Sequence, residues 1–233
     1  LSQQTYSSTV IPYQRGNIID RKGTILASSE KVYNLILDVE KMLLEDEYQE
    51  PTIAALTESY KGIYKDITEA SIHEIVELKP TSRYVILQKG LSYDEMMLFK
   101  EKAADDKNIK GVWFEESYVR RYPYNTLASD ILGFTSDGNA GNYGIEQYYN
   151  DELNGINGRE YGYMDSELKL ERTVKPAKNG NTIVSTIDAN VQGIVQNNIE
   201  EFLEETPSMN AGVIMMNPNN GEIIAMASNQ AYD

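Results

Sequence analysis

Cysteine is absent from the 233 residues, which excludes disulfides, thiolate nucleophiles and zinc–thiolate sites, and suits an extracytoplasmic setting without requiring one. Histidine occurs once. His73 lies in a short helical pattern with Ile72, Ile75 and Val76 on one side and glutamates on its flanks. An imidazole with no second ligand or triad partner at usable spacing is expected to be a solvated helix-face residue, which closes the histidine-based hydrolase reading. Cations are also scarce, with 21 Lys and Arg against 36 Asp and Glu and a net charge of −15. Phosphate binding depends on clustered Lys and Arg that release counterions, so nucleic acid is excluded as a partner. Anionic lipid headgroups are a poor match for the same reason. Within these residues no apolar run approaches the roughly 20 of a membrane span and no stretch reads as a signal peptide. The sequence opens on Leu1 and Ser2 without an initiating methionine, and is expected to be a piece of a longer protein. What is present is apolar material, 41% of residues, enough to bury a core in one large domain or two smaller ones.

Along the chain, Arg15 to Ala27 reads as a hairpin around the turn signal Asp20 to Gly23, followed by a buried strand from Val32 to Leu37. Between Asp38 and Lys110 the pattern changes to short amphipathic helices. Pro51 is placed to open one, with Ile53, Leu56 and Tyr60 on a common face. Thr68 opens another that Pro80 terminates, a strand covers Tyr84 to Gln88, and Ser92 with Glu95 has capping-box spacing ahead of Met96 to Ala104. This stretch is expected to form an inserted lobe. From Gly111 the chain returns to aromatic-rich strands and turns. Its glycines at 138, 141, 144, 155, 158 and 162 match neither a dinucleotide fingerprint nor a Walker loop. Thr182 to Ile187 alternates as a strand, Asp188 is a suitable N-cap, and Val191, Ile194, Val195, Phe202 and Leu203 make the apolar stripe of a helix. Two strands, 211–217 and 222–227, flank the turn Pro218 to Gly221. Apolar on both faces, they belong inside a sheet covered on two sides; without the rest of that sheet, their apolar faces are expected to fold back on the preceding domain, pair with another copy or be poorly ordered.

Taken in order, several of these stretches resemble the class B penicillin-binding proteins, the D,D-transpeptidases that cross-link peptidoglycan. Arg15, Gly16, Ile18, Asp20, Arg21, Gly23, Leu26 and Ala27 resemble the first pedestal motif of that family. Arg121, Tyr122 and Pro123, followed by Ala128, Gly133 and Phe134, resemble the second, with Asn125 where the family usually has glycine. Gly141, Gly144, Ile145 and Glu146 through Leu153, Gly155 and Gly158 resemble the third. Thr186, Asp188 and Gln192, then Asn217 to Met226, resemble the opening of the transpeptidase domain. Each motif is modest alone; five in order over most of the chain are specific.

The resemblance implies an α+β fold: an elongated pedestal, or dimerisation, domain over residues 1–178 with a head lobe inserted at about 38–110, then the first strand, helix and hairpin of a truncated transpeptidase domain over 179–233. It implies a non-catalytic pedestal of a membrane-anchored cell-wall transpeptidase serving division, elongation or sporulation, on the extracytoplasmic face of the bacterial membrane and anchored by a helix preceding Leu1. The implied partners are the chain's own transpeptidase domain, a membrane-embedded glycan polymerase and a possible second copy; no cofactor or metal is implied. The structural and interdomain residues it points to are Arg15, Gly16, Asp20, Arg21, Arg121, Tyr122, Pro123, Gly144 and Glu146. In turn-rich apolar contexts, an arginine fork on a carboxylate locks loops that lack regular hydrogen bonding. The competing reading is ordinary surface charge.

Penicillin-binding enzymes use a serine within Ser-x-x-Lys, with Ser-x-Asn and Lys-Thr-Gly nearby. Ser28 with Lys31, Ser166 with Lys169, and Ser208 with Asn210 match in spacing alone, and Lys-Thr-Gly is missing. The catalytic serine is therefore expected beyond Asp233. The alternatives are a stand-alone hydrolase using Ser166 and Lys169, and an independent protein-binding role for the lobe.

Overall fold

The computed structural model describes residues 7–164 and 170–229. The chain packs as two compact units, Lys31–Val119, and Leu1–Glu30 together with Arg120–Asp233. The first strands are β1 (Ser7–Ile11), β2 (Ile18–Ile19) and β3 (Ile25–Leu37), followed by helices α1 (Val39–Met42), α2 (Asp46–Tyr60) and α3 (Glu69–Leu78). Next come β4 (Val85–Leu91), α4 (Tyr93–Asp105) and β5 (Val112–Arg121). The segment after β5 is built from short pieces: α5 (Ser129–Leu132), β6 (Phe134–Ser136), β7 (Ala140–Asn142), α6 (Gly144–Tyr148) and α7 (Asn150–Leu153). Strands β8 (Gly158–Met164), β9 (Leu170–Lys175) and β10 (Ile183–Val184), helix α8 (Ala189–Glu205), and the hairpin β11 (Gly212–Met216) and β12 (Ile223–Ser228) complete an α+β architecture.

In the unit Lys31–Val119, β3 and β4 pair antiparallel from Tyr33 opposite Leu91 to Leu37 opposite Val85. Leu35 and Leu37 of that pair meet Ile53, Leu56 and Tyr60 of α2, Ile72 of α3 and Phe99 of α4 in one apolar core. Because the end of β3 and the start of β5, with Val112 and Phe114, pack against these helices, the unit extends on both sides of the expected 38–110. Helix α2 begins at Asp46, ahead of the expected opening at Pro51, which lies inside it. Asp46 and Glu47 favour the positive end of the helix, and Pro51 inside it lacks the N–H that would bond to the Glu47 carbonyl, so the ladder gives up one bond there. Lys79 ends α3 in a non-helical conformation, as expected of a residue before proline.

The capping box of α4 forms as its spacing predicts: Glu95 donates its backbone N–H to Ser92 Oγ at 3.2 Å, and Ser92 donates its own to Glu95 Oε2 at 2.8 Å. Ser92→Ala is expected to lower stability by about 1 kcal/mol in a urea titration; an unchanged midpoint would show that this cap is dispensable.

The other unit has a three-stranded antiparallel sheet ordered β1-β8-β9, and the short hairpin β2–β3 onto which β10 adds in parallel, Ile183 beside Ile18. Ile18, Leu26, Ala27, Ala128, Leu132 and Leu153 form its core. Val195 and Ile199 of α8 pack with Ala225 and Ala227 of β12 in a second cluster. The hairpin β11–β12 is open on one side, as strands without the rest of their sheet are expected to be. Every residue of β11 is exposed, Ile214 to 67%, because α8 covers only one face and β11 pairs with β12 alone among the described residues.

Candidate functional site

Three charged side chains from separate stretches converge inside the unit that holds both chain ends. Arg15 precedes β2, Arg120 lies near the end of β5 and Glu146 sits on α6; they are 0%, 3% and 0% exposed. Arg15 grips Glu146 twice, its Nε donating to Oε2 at 2.8 Å while Nη2 lies 2.7 Å from the same oxygen. Its remaining protons go to the backbone oxygen of Glu146 at 2.9 Å and of Asn139 at 3.0 Å, and to the side-chain oxygens of Asn150 and Asn154. Arg120 takes the second carboxylate oxygen, Nε to Oε1 at 2.7 Å, and donates Nη1 to the carbonyl of Gly16 and to Ser29 Oγ. Tyr122 donates its hydroxyl to Glu146 Oε1 at 3.2 Å. Burial, and then the charge of Glu146, push its phenol up to about 12.

One carboxylate thus holds two guanidiniums in a dry interior. The charges do not cancel, and backbone carbonyls of Gly16, Asn139 and Glu146 supply the remaining negative poles. Charge-assisted bonds of this kind fix three loops with little regular structure of their own. Glycine makes the close approach possible. A Cβ on Gly16 would lie 1.8 Å from the carbonyl oxygen of Asn181, and one on Gly144, at φ +50, would lie 2.2 Å from that of Ile131.

A second junction centres on Asp20. Its Oδ1 accepts the backbone N–H groups of Lys22 and Thr24, each at 2.8 Å, which shapes the β2–β3 turn, and its Oδ2 accepts that of Ala189 at the start of α8, at 3.1 Å. Lys22 reaches Asp188, the N-cap of α8, at 2.7 Å. Arg21 donates its backbone N–H to the carbonyl of Ile187. Gln192 then clamps β12, accepting from the Met226 N–H and donating to its carbonyl. One face of the turn therefore organises the N-terminus of α8.

Burial works against the charged form of Asp20, but the N–H groups of Ala189, Thr24 and Lys22 outweigh it and hold the carboxyl below its ordinary range. Asp188 is also lowered, first by its hydrogen bond from Lys22. Folded values below unfolded ones mean that the stabilisation is complete above the unfolded carboxylate value and is lost as pH falls through the folded one. Asp20→Asn is therefore expected to cost stability at about pH 7 and progressively less below about pH 4. Urea titrations of both proteins across that range test this, and a cost independent of pH would contradict it.

The remaining expected residues fall elsewhere. Arg121 is exposed and pairs with Glu30 at 2.8 Å. Strand alternation gives the inward position to its neighbour Arg120, which the sequence reading passed over. Arg21 reaches Glu222 across 3.5 Å at the surface. Pro123 is exposed in the turn after β5, where Asn125 adopts φ +52. Asparagine tolerates that left-handed conformation, so it serves where glycine is usual. Asn150, Asn154 and Ser29 were also missed; short polar residues in turn-rich sequence give no local sign of which guanidinium they meet. Ser28 and Lys31 lie three apart on one strand and so project to opposite faces, and Lys31 is held by Glu116. Ser166 and Lys169 lie outside the described residues.

The family profile described as Penicillin-binding Protein dimerisation domain matches residues 10–185, a span that contains all of Arg15, Arg120 and Glu146. The chain belongs to this family, that of the class B penicillin-binding proteins. It is 30% identical to the stage V sporulation protein D of Bacillus subtilis, over 94% of this chain and 33% of that protein. It is 27% identical to the peptidoglycan D,D-transpeptidase MrdA of Salmonella typhimurium, over 94% of this chain and 36% of that protein. The chain thus spans about a third of the length of these curated relatives. Penicillin-binding protein 2X of Streptococcus thermophilus shares the fold with a TM-score of 0.73 and 25% identity, over 97% of this chain and 36% of that one. Penicillin-binding protein PBP2 of Helicobacter pylori, solved as a complex with MreC, matches with a TM-score of 0.69 and 20% identity, over 99% of this chain and 44% of that one. The α+β fold is that of the penicillin-binding protein pedestal.

Proposed function

We propose that this chain is the non-catalytic pedestal, over residues 1–178 with its head lobe at about 38–110, and the opening segment, over 179–233, of a membrane-anchored cell-wall D,D-transpeptidase. The parent protein cross-links peptidoglycan during division, elongation or sporulation, and its penicillin-acylated serine lies beyond Asp233. The observation that carries this reading is the pair of junctions. Arg15, Gly16, Arg120, Tyr122, Gly144 and Glu146 hold the pedestal loops as one block, and Asp20, with its neighbours Arg21 and Lys22, fastens that block to α8. A rigid base that sets the position of α8 sets the position of whatever is built on it. Arg121 and Pro123 shape the turn beside the block.

The parent sits on the extracytoplasmic face of the bacterial membrane, held by a helix ahead of Leu1. Its partners are its own transpeptidase domain, a membrane-embedded glycan polymerase and a possible second copy. The Helicobacter pylori relative was solved in complex with MreC, which supports a partner-docking role for a protein of this family. Loss of partner binding on deleting residues 40–108 is the outcome that role requires.

Incubation with a fluorescent penicillin tests the assignment. This chain is expected to remain unlabelled while the parent protein labels on a serine beyond Asp233. Covalent labelling of this chain that disappears in Ser166→Ala would replace the pedestal reading with that of a small hydrolase.

A further inference from the structure

The single histidine of the chain has, besides a glutamate one turn away, a second carboxylate neighbour that its local sequence does not reveal. His73 and Glu69 stand one turn apart on α3, at the i and i+4 spacing that stacks side chains on one helix face. Glu50, on α2, faces them, with its Oε1 3.9 Å from His73 Nε2. One ligand atom from each of the three side chains lies within 4.8 Å of the other two. The two backbones are fixed independently of this trio. Ile72, next to His73, is buried in the core with Ile53 and Leu56 of α2, and the Thr68–Ser71 capping box sets the start of α3.

We propose that Glu50, Glu69 and His73 form a binding site for a divalent first-row transition ion of the zinc type, which bridges α2 and α3. Ligand atoms around such an ion at about 2.0–2.2 Å stand roughly 3.3 Å from one another in tetrahedral geometry. The carboxylates are exposed, so rotation of two glutamate side chains closes the gap without moving a helix. One imidazole nitrogen with two carboxylate oxygens selects zinc, nickel or copper over magnesium and calcium, which prefer all-oxygen cages. Two carboxylates offset the charge of the ion, and the open side leaves room for water in the fourth position. Three ligands that reach solvent make a site of modest affinity, whose effect is to clamp the helical unit rather than to activate a substrate.

Calorimetric titration of the chelator-treated chain with zinc chloride, with thermal unfolding recorded beside it, tests the site. Zinc is expected to bind one equivalent and raise the melting temperature, and magnesium to do neither. Glu50→Gln alters an exposed side chain and His73→Gln a half-buried one outside the apolar core; each is expected to weaken zinc binding at least about 10-fold, as loss of even an outer-shell partner does at zinc sites. Glu74→Gln, next to His73 but outside the trio, is expected to bind zinc as the parent chain does. Cobalt in place of zinc is expected to give visible absorption that His73→Gln abolishes. Absence of zinc binding, or binding that survives His73→Gln unchanged, overturns the proposal, the latter by assigning the ion to surface carboxylates in general.

Discussion

Glu146→Ala is expected to lower the unfolding free energy of the chain by about 3–5 kcal/mol, a large part of the stability a domain of this size possesses. The substitution removes the only carboxylate in contact with Arg15 and Arg120 among the described residues, and both guanidiniums are closed to solvent. Each charge then stands in a low-dielectric interior with only amide and carbonyl partners, and no rearrangement short of opening the loops rehydrates it. Glu146→Gln keeps the shape and one acceptor oxygen but loses the charge, so it is expected to fall between Ala and the parent. Glu45→Ala, at an exposed helix boundary, removes a carboxylate that water already solvates and is expected to change stability by less than about 0.5 kcal/mol. Chemical denaturation of the three variants measures the ranking; equal effects at positions 146 and 45 would show that the buried contacts contribute nothing net.

Gly16→Ala is expected to be nearly as damaging, at roughly 3 kcal/mol or more, for a steric reason. The added methyl would lie 1.8 Å from the Asn181 carbonyl oxygen and 2.5 Å from its carbon, and backbone cannot rotate away as a side chain can. Gly16 also donates its N–H to the Leu153 carbonyl at 2.8 Å and accepts from Arg120 at 2.7 Å, so a shift of this backbone segment loosens the arginine junction as well. Gly193→Ala makes the opposite case. That glycine is inside α8, where an added Cβ meets only Leu127 Cδ1 at 3.7 Å. Alanine there is expected to raise stability by about 0.5–1 kcal/mol through helix propensity. Thermal unfolding of the two variants is expected to move in opposite directions, and a fall of similar size in both would remove the steric explanation.

Features set by a few neighbouring residues were legible in the sequence. The capping box at Ser92, the turn at Asp20 to Gly23 and the N-cap at Asp188 each depend on side chains reaching backbone groups two to four positions away, and the stop before Pro80 depends on the proline ring crowding the residue before it. Arg15 and Glu146 could be singled out as charges in apolar, turn-rich surroundings, while their pairing spans 131 residues. The choice between Arg120 and Arg121 was missed because it depends on which face of β5 turns inward, and the flanking residues alternate too weakly to fix that phase. Pro51 was misjudged as a helix start because proline preference was weighed without the acidic turn before it. The apolar faces of β11 mark it as a strand of a larger sheet, while composition does not tell what lies against it. Glu50 was invisible as a neighbour of His73 because only the packing of α2 on α3 brings them together.

The account rests most heavily on the Arg15–Glu146 pair as an interaction, beyond the merits of either residue, and a double-mutant cycle isolates that quantity. Unfolding free energies are measured for the parent chain, Arg15→Met, Glu146→Gln and the double variant. The account predicts a coupling of about 2–3 kcal/mol, with the double variant more stable than the sum of the single losses implies, since each single change strands a buried partner. A coupling within about 0.5 kcal/mol of zero would contradict it, because the two side chains would then act independently and no lock would hold the pedestal together.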